Sequence, residues 1–468
     1  MLALLLGACG GAPPAVEEPG AECPADADVV TATDPPRTVL FVSVDTVHRD
    51  FLGVHHPDWD TTPTLDALFA EGVRFDNVLV PRGLSAVSMA TLMTGAYPVT
   101  HQVRANEPPE AGGSGIAAEV PTLYQRFADA GYTTYGWLAN MCFLLDGPPA
   151  IGHRSCQSDD ENPGTDQATG DFRIATEAAE TIAALPEDER FFGWIHFMDP
   201  HDPYDRRDPW YAEFHPDTYD GPLQDPTEEE LLAVSRGDTP FDAEDRRHVD
   251  ALYASQLRQT DEHVATLLAA LAESGRLDDA VIVVAFDHGD ELARRNGYFF
   301  HGCSPYNGVI GSTYGIRAPG RLPAGEVLAN WVSSVDLVPT LLEVAGLPWS
   351  GPGEGRSLVD NARRCVEPQH PAFFERGAET AGVVLGSWKY ILDPKAGYSK
   401  CKHYDGENPF PGAAAELYHL PDDPLELTNE VDSRPEIAGV LRGRVCEWVR
   451  SGPLWSDDPA NALLVACE

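Results

Sequence analysis

Asp45 closes the run TVLFVSVDT, and Asp287 with His288 closes AVIVVAFDHGD. Two carboxylates and an imidazole thus stand where apolar, β-branched stretches give way to loops. Runs of that texture read as buried parallel strands, and ligands gather outside the carboxyl ends of such strands. Carboxylate oxygens beside an imidazole nitrogen make a donor set for one divalent cation. The plainer reading is an aspartate that forms a turn or caps the next helix. Between these two strand ends, RGLSAVSMATLMTG puts Ser85 at the head of a helix and Ser88 inside it. As an N-cap, Ser85 accepts a bond from a first-turn N–H. The same geometry sets a tetrahedral anion beside its hydroxyl. His201 in HFMDPHDPY and His301 in GYFFHGCSPY lie in loops after strand-like runs. As imidazolium, each could hold anionic oxygens or protonate a leaving group; as loop residues, they would do neither. Asn140 ends YGWLAN, as a polar contact to a substrate or as a helix cap.

The elements that must position these groups alternate along the chain. TPTLDALFAEG has helical spacing with Gly72 as its stop, VPTLYQRFADAG predicts a second helix, and YTTYGWLAN and RFFGWIHFMD predict strands. DALYASQLRQTDEHVATLLAALAESG predicts a long helix, and SVDLVPTLLEVAG one more. Strand and helix in turn predict an α/β fold with a parallel-rich sheet covered by helices on both faces. After GLPWSGPGEGRSL the texture changes to short strand-like pieces, AGVVLGSWKYIL and AAELYHLPDDP, which predict a smaller α+β subdomain over residues 351–468. The main domain is expected over residues 37–350.

A net charge of −42 makes nucleic acid an unfavourable partner, because phosphate binding rests on Lys and Arg. The same charge disfavours an anionic membrane surface bound through electrostatics. Hydrophobic content of 43% with periodic segments is that of a folded globular chain. MLALLLGAC ends in the pattern Leu6-Gly7-Ala8-Cys9 of a lipoprotein signal, short and without a basic n-region, as a truncated signal would be. The expectation is a signal peptide over residues 1–8, lipidation at Cys9, and a Pro-, Gly- and Ala-rich tether over residues 9–36. That predicts an exported lipoprotein at the periplasmic face or cell surface, touching membrane only through its anchor. With Cys9 set aside, eight cysteines remain, an even number that suits disulfides in an exported chain. The shortest-range pairs are Cys142 with Cys156 and Cys446 with Cys467. None shows the spacing of a structural zinc site.

Taken together, VSVDTVHRDFLG, SAVSMATLMTGAYPVTHQV, IHFMDPHDPY, AVIVVAFDHGDEL and ELYHLPDDPLELTN resemble, in order and spacing, the sulfatase family of the alkaline-phosphatase superfamily. The resemblance implies that Asp45, Asp287 and His288 bind one divalent cation, Ca2+ if the site is sulfatase-like and Mn2+ or Zn2+ if it is phosphoesterase-like. It implies that Ser85 is the nucleophile, and that His201 and His301 contact the substrate oxygens and assist the leaving group. Thr46 stands where many sulfatases carry a further metal-binding aspartate. Family members with the formylglycine cofactor read Cys (or Ser)-x-Pro-x-Arg; here Val87 and Met89 replace the proline and arginine, so formylglycine is not expected. The family's Gly-Lys-x-His segment is also absent, with YGWLANMCF in its place. The expected substrate is an anionic ester of a small molecule, glycan or lipid. An unmodified serine favours a phosphate or phosphonate ester over a sulfate ester. The alternative is a degenerate relative that binds such a ligand without turnover.

Overall fold

The computed structural model describes residues 34–145, 152–157, 167–295, 297–396, 412–452 and 461–468. Cys9, Cys23 and Cys401 lie outside the described residues. A single strand organises the rest: β1 (Thr38–Val44) is buried over all seven residues. It lies parallel between β5 (Phe191–Phe197) and β6 (Val281–Phe286). Side chains alternate across a strand, and both faces of β1 are apolar. Val39 and Phe41 enter one core, and Leu40, Val42 and Val44 enter the other.

Six more strands complete this sheet: β2 (Val73–Leu79), β3 (Thr133–Leu138), β4 (His153–Cys156), β7 (Gly311–Arg317), β8 (Glu326–Leu328) and β9 (Val332–Ser333). Their order is β4-β3-β5-β1-β6-β7-β2-β8, with β9 beside β2. β7 alone is antiparallel to its neighbours, so β1, β2, β3, β5 and β6 all end at the same edge. The long helix Ala243–Glu273 and the helix Gln167–Ala184 pack on one face through Leu257, Val264, Ile174 and Ile182. The helices Ser85–Thr94, Leu123–Asp129 and Leu337–Val344 cover the other. The long helix starts earlier than its apolar spacing predicts, because Asp242 and Asp245 form a capping box around a polar first turn.

A second sheet, antiparallel in the order β10 (Ala372–Arg376), β11 (Thr380–Leu385), β12 (Trp388–Leu392), β13 (Ala415–His419), follows in the C-terminal part. The helix Pro435–Ser451 seals it with Leu441, Val445 and Val449. Disulfides join Cys142 to Cys156 and Cys446 to Cys467, the two shortest-range pairs that the sequence offered. Cys303 and Cys365 are disulfide-bonded as well.

Two buried groups tie the site-bearing loops to this frame. Asp171, fully buried on Gln167–Ala184, accepts the main-chain N–H of Met198 at 2.8 Å and of Asp199 at 2.9 Å. That fixes the start of the loop after β5, where Arg207 also holds Asp199 at 3.0 Å. His101 secures the helix that begins at Ser85. Its Nδ1 accepts the Val103 N–H at 3.1 Å, which leaves the proton on Nε2, 3.1 Å from the Thr91 hydroxyl. Burial pushes this imidazole down to about 3, so it stays neutral in the folded chain. Gly95, at φ 66°, ends the same helix in a left-handed turn that favours glycine.

Two stability measurements follow. Asp171→Ala leaves two buried N–H donors unpaired and should lower the unfolding free energy by about 1–3 kcal/mol in urea titrations; an unchanged midpoint contradicts the anchor. Unfolded histidine takes up its proton near pH 6.5, whereas folded His101 refuses it until about pH 3. Stability is therefore intact above pH 6.5 and falls on acidification, with His101 contributing about 1.4 kcal/mol per pH unit. His101→Gln should flatten the slope between pH 6 and pH 4 by about that amount; parallel slopes for the two proteins would refute it.

Candidate active site

Every residue expected to bind metal, substrate or carry catalysis lies at the common carboxyl edge of the sheet; Cys9 lies outside the described residues. Asp45 follows β1, Asp287 and His288 follow β6, His201 follows β5, Asn140 follows β3, and Ser85 follows β2. Gly289 lets the β6 turn press against neighbouring backbone, since a Cβ there would meet the Gly308 carbonyl oxygen at 2.3 Å. Ser85 proves to be the first residue of its helix rather than its cap, a role taken by Leu84 with no side-chain bond. Its hydroxyl is thereby free for other partners. Ser85 Oγ lies 3.4 Å from Asp45 Oδ1 and 3.3 Å from His288 Nε2. Ser88 turns away and donates to the Asp287 carbonyl. Asn140 reaches Asp45 Oδ2 with its amide at 3.3 Å.

The charges in this cluster are not balanced internally. Asp45, Asp287 and His288 are wholly buried. Burial and the charge of Asp45 push the Asp287 carboxyl well above the ordinary range. Burial also opposes ionisation of Asp45, but His196, His201 and His288 outweigh it and hold that carboxyl below the usual value. Asp287 Oδ1 accepts the N–H of Thr46 at 3.1 Å and of His288 at 2.6 Å, yet Oδ2 has no hydrogen-bond partner among the described residues. Thr46 Oγ1 and His196 Nε2 are buried and also lack a hydrogen-bond partner among the described residues, although His196 Nε2 lies 3.7 Å from Asp45 Oδ2. His288 keeps its proton on Nδ1, directed at the Gly289 carbonyl 3.1 Å away, so its Nε2 lone pair faces Ser85. Burial, then His301, depress its pKa to about 4. Buried carboxylates beside an imidazole lone pair, one carboxylate oxygen without a hydrogen bond, are a donor set that a divalent cation fits. Asp45, His196 and Asp287 bring one ligand atom each within 4.8 Å of one another.

His201 and His301 form the solvent-facing side, 20% and 12% exposed, with ring centres 5.1 Å apart. The His301 ring stands 4.6 Å from that of His288, centre to centre. Burial disfavours the His201 imidazolium, but Asp202, Asp45 and Asp290 reverse this and lift it to about 9. It is cationic at neutral pH. His301 Nδ1 donates to the buried Asp290 at 2.7 Å, and Tyr204 donates to the other Asp290 oxygen at 2.9 Å. His201, Asp202 and His301 make a second group of closely spaced ligand atoms. Sequence reasoning did not single out His196 or Asp290. His196 hides in the apolar run of β5, and only its pairing with Ser43, whose Oγ lies 2.8 Å from Nδ1, reveals that it faces Asp45. Asp290 stood in the quoted stretch AVIVVAFDHGD, three residues past Asp287.

Comparison with known proteins agrees with this layout. The family model "Sulfatase" matches residues 37–347. The chain is 25% identical over 455 residues to choline-sulfatase of Rhizobium meliloti (strain 1021), covering 84% of this chain and 81% of that one. Among solved structures, one protein in complex with its substrate D-glucosamine-2-N,6-O-disulfate superposes with a TM-score of 0.71 at 17% identity, over 92% of this chain and 99% of the other. Phosphonate monoester hydrolase of Agrobacterium radiobacter superposes with a TM-score of 0.66 at 20% identity, over 90% and 96%. These structural likenesses share the alkaline-phosphatase-like fold, and the family match extends through every residue of the cluster just described: the chain belongs to the sulfatase family.

Proposed function

We propose that the chain is a metal-dependent hydrolase of an anionic monoester, with unmodified Ser85 as nucleophile and a phosphate or phosphonate monoester as substrate class. The observation that carries this reading is the position of Ser85 Oγ, 3.4 Å from Asp45 Oδ1 and 3.3 Å from His288 Nε2, beside buried donors that lack partners. Asp45, Asp287 and His288 would hold the cation, with His196 and Thr46 Oγ1 within the same set. Two imidazoles among the donors favour Mn2+ or Zn2+ over Ca2+. Bound there, the cation would supply Lewis-acid stabilisation of negative oxygen.

The chain's own groups divide the remaining work. Asp45 Oδ1 orients the Ser85 hydroxyl, which gives up its proton to water as Oγ attacks phosphorus. His201, cationic at neutral pH, gives a proton to the leaving oxygen. Asn140 steadies Asp45. His301, fixed on Asp290 through Nδ1, takes a proton from the water that opens the Ser85 ester and returns it through solvent to His201, its ring 5.1 Å away, while Ser85 Oγ is reprotonated from water. Val87 and Met89 are packed in the core where a formylglycine motif carries proline and arginine, which supports an unmodified serine. Such a serine ester must be opened at its central atom, a route that phosphorus takes readily. The likeness to a choline-sulfatase favours a second reading, the same site acting on a sulfate monoester. Export and lipidation at Cys9 belong to this proposal; the disulfides support an oxidising compartment. No helix among the described residues is long and apolar enough to cross a membrane.

Ser85→Ala should reduce turnover of an aryl phosphonate or aryl phosphate at least about a thousandfold with the circular dichroism unchanged; comparable turnover sinks the nucleophile assignment. Dialysis against EDTA should abolish the same activity, and Mn2+ or Zn2+ should restore it better than Ca2+. Full activity in the chelator would remove metal from the account.

A further inference from the structure

A cavity of about 860 Å³ lies beside the catalytic cluster, where the large sheet meets the C-terminal one. None of Asp45, Ser85, Asp287, His288, His201 or His301 lines it. Its wall gathers Arg49, Arg246, Arg294 and Arg295. Four guanidiniums around one cavity are unexpected in a chain with 74 acidic against 32 basic residues.

The ion pairs around the wall leave a surplus of positive charge. Arg294 meets Asp250 at 3.2 Å, Arg49 lies 3.9 Å from Asp50, and Glu426 is engaged by the buried Lys389 at 2.7 Å. The remaining acidic wall residue, Glu291, takes its hydrogen bond from the Ser304 hydroxyl, and burial lifts its carboxyl to about 7. Among the described residues Arg246 and Arg295 make no direct ion pair; Asp250 near Arg246, and Glu426 and Glu291 near Arg295, act on them only at longer range. Arg246 donates to the carbonyls of Leu292 at 3.1 Å and Ala293 at 2.9 Å. Arg295 donates to the carbonyls of Leu425, at 2.8 Å, and Glu426. Carbonyl oxygens hold a guanidinium in place without cancelling its charge.

The wall is also stiff. Arg295 stacks 3.5 Å from the Tyr306 ring centre, and Arg294 lies 5.1 Å from that of Phe51. The Nε atoms of Arg294 and Arg295 are buried without a hydrogen-bond partner. Fixed guanidiniums that outnumber their direct ion pairs, in a cavity of small-molecule size, are a built receptor for oxyanions.

We infer that this cavity is a second anion site, separate from the reacting centre, for a small molecule that carries two sulfate- or phosphate-type groups. Arg246 and Arg295 supply the two guanidiniums that no carboxylate pairs directly among the described residues. The inference does not depend on which ester is hydrolysed, or on whether Ser85 turns one over.

Ethane-1,2-disulfonate is a suitable probe, because it binds metals weakly and cannot be hydrolysed. Calorimetric titration of the full chain at low ionic strength should show saturable one-to-one binding that weakens as salt is added. Arg246→Gln should weaken it about tenfold or more, the scale of one charge-assisted hydrogen bond. Because Arg246 also ties a loop, Ser387→Asp provides a second test: it puts a carboxylate on the wall and removes no guanidinium. It should weaken binding comparably, whereas Ser85→Ala should leave binding intact. Absence of saturable binding to the wild type overturns the inference. So does binding that survives both cavity variants, or that disappears with Ser85→Ala, which would put the anion at the reacting centre.

Discussion

Two wholly buried carboxylates, Asp45 and Asp287, face one another across the ends of adjacent parallel strands, and the rest of the site answers to that repulsion. Neither can reach water, and the two cannot both be ionised without nearby positive charge. His196, His201 and His288 surround Asp45, while one oxygen of Asp287 has no hydrogen-bond partner among the described residues. A fold maintains such an arrangement only when something supplies the missing charge. The sheet enforces it by register: β1 runs beside β6 with Val44 opposite Phe286, so the two aspartates that follow emerge side by side. The same register sets Ser43 against His196 on the other flank.

This electrostatic demand explains why the surroundings are so firmly tied. Asp171 and Arg207 fix the loop that carries His201, Asp290 and Tyr204 orient His301, and His101 braces the helix that begins at Ser85. Asp171, Asp290, Tyr204 and His101 are buried with their partners in place, and Arg207 is half-buried. The departures from the family pattern are accommodated in the same way. On the proposed correspondence, Thr46 brings a buried hydroxyl where a carboxylate was expected, and Val87 and Met89 are packed in the core. Ser85 Oγ stands beside a carboxylate and an imidazole lone pair.

Much of this was legible in the sequence, and the exceptions share a cause. Asp45 and Asp287 could be singled out because each ends an apolar, β-branched run; a turn or a cap accounts for one such aspartate, and the adjoining His288 made the pair a candidate site. The two-faced sheet followed from runs such as VIVVAF, apolar at every position. Cys142–Cys156 and Cys446–Cys467 were visible as the nearest neighbours in sequence. His196 was not visible, because a histidine within FFGWIHF reads as core until its strand partner is known. Ser85 was displaced by one position from the expected cap, the usual uncertainty of a helix end. The arginine-lined cavity was beyond reach, since its charges come from separate segments and only the meeting of the two sheets assembles them.

The central claim is that an unmodified Ser85 forms a covalent ester during turnover. It is tested most directly by quenching the purified protein while it hydrolyses an aryl phosphonate, and weighing the peptide that contains residue 85. The account predicts a phosphonyl group carried on an otherwise ordinary serine, and a free serine once substrate is exhausted. A peptide lighter by two hydrogens, the mark of formylglycine, would contradict it, as would an adduct on any other residue.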